Sequence, residues 1–275
     1  YDDLVIQENG NTGKAALNYN LVDKLLNRNQ QREYLVELVG SDEEEQSFAQ
    51  VSLNDYLTIA RIDEKTNKSK NKIAVVVASG SILDGSQPPG MIGGDSTAQL
   101  LRNAHKDEEV KAIVLRVDSG GGSAFASEII REEIVVAKSK GIKIIASMSN
   151  VAASGGYWIS ASADEIWASH DTITGSIGVF GFLPTFEKTL DKIGIHSDGV
   201  STTKIGTGQD ATQAINPILA RAIQSNIEYH YQRFITLVSE SRSMTLEEVD
   251  EIAQGRVWAG ETALELGLID NLGNM

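Results

Sequence analysis

From residue 73 onward the chain alternates between uninterrupted apolar runs and stretches with helical periodicity. Ile73-Ala74-Val75-Val76-Val77 is continuously apolar, the pattern of a strand buried on both faces. The pattern then predicts a helix over 96–104 and a strand over 112–117. A helix over 123–138 follows, carrying the stripe Ile129, Ile130, Ile134 and Val135. After it come a strand over 142–146, a helix over 153–163 and a short strand over 165–168. Strand and helix alternating at this spacing predict an α/β fold of βα units on a mainly parallel sheet. The stretch 217–254 reads as mostly helical, with Ser243 ahead of Thr245-Leu246-Glu247-Glu248 as a capped start to its second helix.

The chain before residue 73 has a different texture. Residues 26–72 read as a connector, with an acidic turn at Ser41-Asp42-Glu43-Glu44-Glu45, a charged run over 63–72, and a short strand or helix between 48 and 62. Residues 13–25 resemble residues 260–272 without a gap, sharing Gly, Ala, Leu, Leu, Asp and Leu in register. In each copy a short helix ends at a C-cap residue type, Asn20 or Gly267, and a strand-like Leu-Val-Asp or Leu-Ile-Asp follows. If the second copy closes a domain, residues 1–25 are the tail of a preceding, similar domain, and 73–275 is the second of a tandem pair.

Composition narrows the function classes. With 275 residues, 41% hydrophobic and 6% aromatic, the core is built mainly from Val, Ile, Leu and Ala. A net charge of −14 repels phosphate backbones, so no nucleic-acid partner is expected. The absence of Cys removes disulfides, thiolate metal sites and Cys nucleophiles. No apolar run reaches the roughly 18–20 residues that span a bilayer. The chain begins at Tyr1, so an N-terminal anchor in a longer protein is left open.

Chemistry in a parallel sheet collects at the carboxyl ends of the strands. Two turns there have unusual composition: Asp118-Ser119-Gly120-Gly121-Gly122-Ser123, and Ser149-Asn150-Val151-Ala152-Ala153-Ser154-Gly155-Gly156. Leaving the same end of neighbouring strands, they should face each other. Consecutive glycines let backbone N–H groups approach a ligand unobstructed. Ser154 sits between small residues and glycines at a helix start, where its hydroxyl is a candidate nucleophile. The amides of Gly155 and, from the first turn, Gly121 are then the candidate pair of oxyanion donors. Taken singly, the glycine turn reads more readily as a tight turn or a phosphate cradle, and Ser154 as a helix N-cap.

Val151-Ala152-Ala153-Ser154-Gly155-Gly156-Tyr157-Trp158-Ile159, together with Leu115 to Ser123, Thr174-Gly175-Ser176-Ile177-Gly178-Val179 and Gly255-Arg256-Val257-Trp258-Ala259-Gly260, resembles the signal peptide peptidase A family, peptidase family S49, in its long tandem-domain form. The resemblance runs from about residue 73 to the end. It implies a crotonase/ClpP-like fold with a C-terminal helical region, Ser154 as nucleophile, a lysine general base, no cofactor, and a homo-oligomer. It also implies degradation of cleaved signal peptides at the bacterial cytoplasmic membrane. There the catalytic domain would lie on the outer face, attached through an N-terminal segment, with this portion itself soluble. One departure is Gly120, where the family usually has Pro.

A lysine removes a serine proton only when desolvation lowers its pKa. Lys204 lies where short forms of the family carry their base, but it lacks the preceding Tyr or Phe. In the long form the lysine comes from the N-terminal repeat. His170-Asp171 follows Ser154, but adjacent residues point apart. His105, His196 and His230 lie in no motif, and no pair has metal-ligand spacing. Two other readings stay open: a crotonase-type acyl-CoA enzyme, which needs catalytic carboxylates where these turns offer only Asp118, and a non-catalytic assembly domain.

Overall fold

A computed structural model of the protein describes residues 12–42, 47–60, 70–202 and 210–275. The chain divides into two compact units, Tyr1–Lys68 and Ser69–Met275.

The first unit contains α1 (Thr12–Asn18), α2 (Arg28–Val39), an antiparallel pair β1 (Ser41–Asp42) and β2 (Ser47–Phe48), and α3 (Leu53–Ala60). Helix α2 occupies a stretch read as connector. Its local signal is a capping box, in which Asn27 Oδ1 accepts from Gln30 N–H and Gln30 Oε1 from Asn27 N–H, both at 3.0 Å.

The second unit is a mixed α/β domain around a mostly parallel sheet. Its first elements are β3 (Lys72–Ser79), the short parallel pair β4 (Ile82–Leu83) and β5 (Ile92–Gly93), α4 (Gly94–Lys106) and β6 (Val110–Ser119). Then follow α5 (Ala124–Ser139), β7 (Lys143–Ala153), α6 (Gly155–Ala161), β8 (Glu165–Ala168) and β9 (Ile173–Gly175). The remaining elements are α7 (Glu187–Asp191), α8 (Pro217–Arg242), α9 (Leu246–Ile252), β10 (Val257–Ala259), α10 (Gly260–Glu265) and β11 (Asn271–Leu272). Strands β3, β6 and β7 run parallel side by side. Strand β7 then changes neighbour along its length, pairing with β8 over Ile145–Ser147 and with β9 over Val151–Ala153. Strand β10 closes against β9 antiparallel, and β11 lies parallel to β8. The core is aliphatic: Ile113, Leu115, Ile130, Ile134, Ile144 and Ile159 are fully buried between sheet and helices.

Several expectations need correction. Strand β3 is at the sheet edge and is not buried on both faces: Val76 and Ala78 face the core, whereas Ile73, Val75 and Val77 are exposed. Strand β7 does not stop at residue 146; the supposed turn from Ser149 to Ala153 is strand, because β9 supplies a partner for it. Ser243 does not cap α9 but ends α8 in the left-handed region, with φ 56°. Thr245 is the N-cap, in a capping box with Glu248.

The two similar segments end their helices alike. Asn20 and Gly267 have φ 56° and 73°. Asn20 N–H donates to Leu17 O and Leu21 N–H to Ala16 O, as Gly267 N–H does to Leu264 O and Leu268 N–H to Ala263 O. The tripeptides that follow are not strands. In the second copy Asp270 instead accepts from Ile166 N–H at 2.8 Å and pairs with Arg242 at 2.7 Å.

Candidate active site

Ser154 is the corner between β7 and α6. Pairing of Ala153 with Gly175 carries β7 up to that corner, and Ser154 N–H donates to Gly175 O at 2.9 Å. The chain then turns abruptly: Ser154 has φ 52° and ψ −119°, a conformation that costs a residue with a side chain about 1–3 kcal/mol. Its carbonyl accepts from Trp158 N–H at 3.0 Å as α6 begins. Its hydroxyl makes no capping bond, so the ordinary N-cap role of serine does not account for it.

The glycine turn after β6 is pinned from both sides. Ser119 Oγ–H donates to Gly80 O at 2.6 Å, Ile82 N–H to Gly121 O at 2.9 Å, and Ser123 N–H to Ile82 O at 2.8 Å. Gly121, at φ 99°, lies directly against the serine corner. A Cβ on it would come within 2.6 Å of Gly155 N and 2.8 Å of Ser154 Cβ. The two turns therefore do meet. Asp118 ties them together, its carboxylate accepting from Val151 N–H at 3.2 Å.

The expected oxyanion donors are placed differently from each other. The Gly155 amide, at the start of α6, has no acceptor among the described residues. The Gly121 amide is already engaged, donating to Ser119 Oγ at 3.1 Å. Its neighbour Gly122 has an amide without an acceptor among the described residues, and a Cβ built on Gly155 would lie 3.2 Å from that nitrogen. In this turn the uncommitted amide is therefore that of Gly122, because the Ser119 hydroxyl accepts from Gly121. A Ser-Gly-Gly-Gly run carries no sequence signal that distinguishes these two amides.

Ser154, Gly155 and Gly122 border a cavity of about 130 Å³, completed by Ala124, Gly178, Val179, Phe180, Trp158 and Phe234. None of these nine residues carries an acid or base that could take the serine proton. The histidines are elsewhere: His105 is buried between Glu133 and Lys140 at 3.0 Å each, and His196 pairs with Asp191. Among the described residues there is no group of three or more His, Cys, Asp or Glu able to hold a metal ion, and no helix long and apolar enough to cross a membrane. Lys204 lies outside the described residues.

Comparison with known proteins gives a consistent picture. The model of peptidase family S49 matches residues 136–275. Protease 4 of Salmonella typhi is 46% identical over 265 residues, covering 96% of this chain and 42% of that protein. The chloroplastic serine protease SPPA of Arabidopsis thaliana is 37% identical over 212 residues, covering 75% of this chain and 31% of that protein. The chain thus spans less than half the length of these curated relatives. Among solved structures, a point mutant of ClpP1 from Listeria monocytogenes aligns with a TM-score of 0.49 at 15% identity, covering 80% of this chain and 96% of that one.

Proposed function

Because the chain belongs to peptidase family S49, we propose that it is the nucleophile-bearing part of a serine endopeptidase, with Ser154 Oγ attacking the carbonyl carbon of a peptide bond. The carrying observation is the combination at one corner of a serine hydroxyl free of any capping role and two uncommitted amides bordering the same apolar cavity. In this reading the Gly155 and Gly122 N–H groups stabilise the oxyanion of the tetrahedral intermediate. Losing one such donor costs on the order of 3 kcal/mol of transition-state stabilisation. Collapse of the intermediate releases the amine, which takes up the proton removed from Ser154, and water then hydrolyses the acyl-enzyme.

We assign the general base to a lysine. Since no lining residue of the cavity can take the proton, that lysine comes either from a preceding repeat in the longer protein or from the segment containing Lys204. The matched helix ends at Asn20 and Gly267 support the first source, with residues 1–25 as the tail of such a repeat, 26–72 as connector and 73–275 as the catalytic domain. The mostly parallel sheet of βα units supports the crotonase/ClpP-like description of that domain. The apolar cavity fits apolar peptides, and family membership favours cleaved signal peptides at the outer face of the bacterial cytoplasmic membrane, acted on by a homo-oligomer.

In the full-length protein, Ser154→Ala is expected to abolish peptide hydrolysis and fluorophosphonate labelling while leaving the melting temperature close to wild type. Retained turnover would overturn the assignment. Lys204→Ala separates the two sources of base: activity is kept if the lysine belongs to a preceding repeat and lost if Lys204 is the base.

A further inference from the structure

Trp158 borders two cavities. One face of its surroundings is the space beside Ser154, about 130 Å³; the other is a second cavity of about 280 Å³, bordered by Glu128, Arg131, Tyr229 and Arg233 of α5 and α8. The indole is 3% exposed and packs on Phe234 with ring centroids 4.7 Å apart. Its Nε1–H also donates to Glu128 Oε2 at 2.7 Å, a polar tether on an otherwise apolar side chain.

Glu128 is itself held. Arg131 donates to both of its oxygens at 2.7 and 2.8 Å, and Arg233 Nη2 lies 3.2 Å from Oε1. Burial pushes this carboxyl up, but the Arg131 and Trp158 hydrogen bonds and the two guanidinium charges outweigh it and hold the group below its ordinary value. It is therefore an ionised, fixed acceptor at neutral pH. Glu128 does not border the cavity beside Ser154.

We propose that Trp158 is the specificity-determining floor of the pocket for the acyl-side residue of the substrate, and that Glu128 is a positioning residue holding that floor in place. The proposal rests on the reading of Ser154 as nucleophile. An apolar space of about 150 Å³ takes a benzene-sized group. The space beside Ser154 therefore suits a branched aliphatic side chain and stops short of an indole. Released from Glu128, the indole can move toward the larger cavity, and the two spaces join. Each methylene-sized misfit in such a pocket changes kcat/KM about 10- to 200-fold.

The test uses the full-length protein and matched peptides with Val, Leu, Phe or Trp on the acyl side of the scissile bond. Wild type is expected to favour Leu over Trp at least tenfold in kcat/KM. Trp158→Phe, which shortens the floor and loses the tether, and Glu128→Ala are each expected to reduce that ratio at least tenfold, chiefly by raising kcat/KM for the larger residues. Glu128→Gln, which still accepts from the indole, is expected to restore the wild-type ratio. A uniform loss over all four peptides, or an unchanged ratio in Trp158→Phe, overturns the proposal, even if Glu128→Ala fails to fold. Activity surviving Ser154→Ala would instead remove the nucleophile reading beneath it, so the two failures are told apart.

Discussion

Adjacent glycines in the turn after β6 should respond very unequally to the same small substitution. A methyl group on Gly121 meets two backbone atoms, Gly155 N at 2.6 Å and Ala153 O at 3.0 Å, and Ser154 Cβ at 2.8 Å. Gly121 also has φ 99°, where a side chain adds about 1–3 kcal/mol of strain. Gly121→Ala therefore pushes the turn away from the serine corner by several tenths of an ångström, and the Gly122 amide moves with it. A donor withdrawn from the oxyanion costs about 10²–10³ in kcat, and that is the expected loss in peptide hydrolysis by the full-length protein. A Cβ on Gly120 meets nothing within 4 Å, and its φ lies outside the glycine-favouring region. Gly120→Ala should accordingly keep kcat within about threefold of wild type, given that surface changes away from such features are nearly neutral. The assay is kcat and KM on one peptide for both variants, with melting temperatures as a folding control. Equal losses in the two variants, or near-normal kcat in a folded Gly121→Ala protein, would refute the account of the turn.

Two further predictions concern how the C-terminal tail is held. Burial raises the Asp270 carboxyl, but the Arg242 hydrogen bonds, the Ile166 N–H and the Arg242 charge together hold it below the ordinary carboxylate value. A depressed folded-state value stabilises the fold above the unfolded value, near pH 4, and that contribution is lost as pH falls through the folded value. Asp270→Asn should lower the melting temperature at pH 7 and flatten its acid slope below about pH 4; an unchanged slope would contradict this. Tyr157 is fully buried and donates to Leu268 O at 2.7 Å, with burial pushing its phenol far above the ordinary range. Tyr157→Phe leaves that carbonyl unpaired and should cost about 1–3 kcal/mol in denaturant unfolding. No measurable change would mean the carbonyl finds another donor.

The parts of the fold that are legible in sequence are those where one signal dominates. Strand β6 and helix α5 announce themselves by aliphatic runs and a stripe of Ile residues that have no other way to leave water. The end of β7 does not: Ser149, Asn150 and two alanines resemble a turn, and only the distant segment Ile173–Gly175 makes them strand. Helix α2 is polar along most of its length, so periodicity is silent and only the Asn27–Gln30 cap marks it. At the site, Ser154 and Gly155 stand out as candidates only because the glycine turn after β6 faces the serine corner; taken singly, each has an ordinary structural use. Which amide of the glycine turn stays uncommitted depends on where the Ser119 hydroxyl points, which no local pattern encodes.

The sharp corner at Ser154 sets stability against selection for activity. Glycine adopts that backbone without penalty, so under the proposed nucleophile role the position is held by serine at a thermodynamic loss that catalysis repays. Copies of this domain that no longer cut anything are released from that constraint, and drift toward glycine there would make them sturdier. Under that same proposal, the residue at this single corner is expected to sort working copies from retired ones across a lineage.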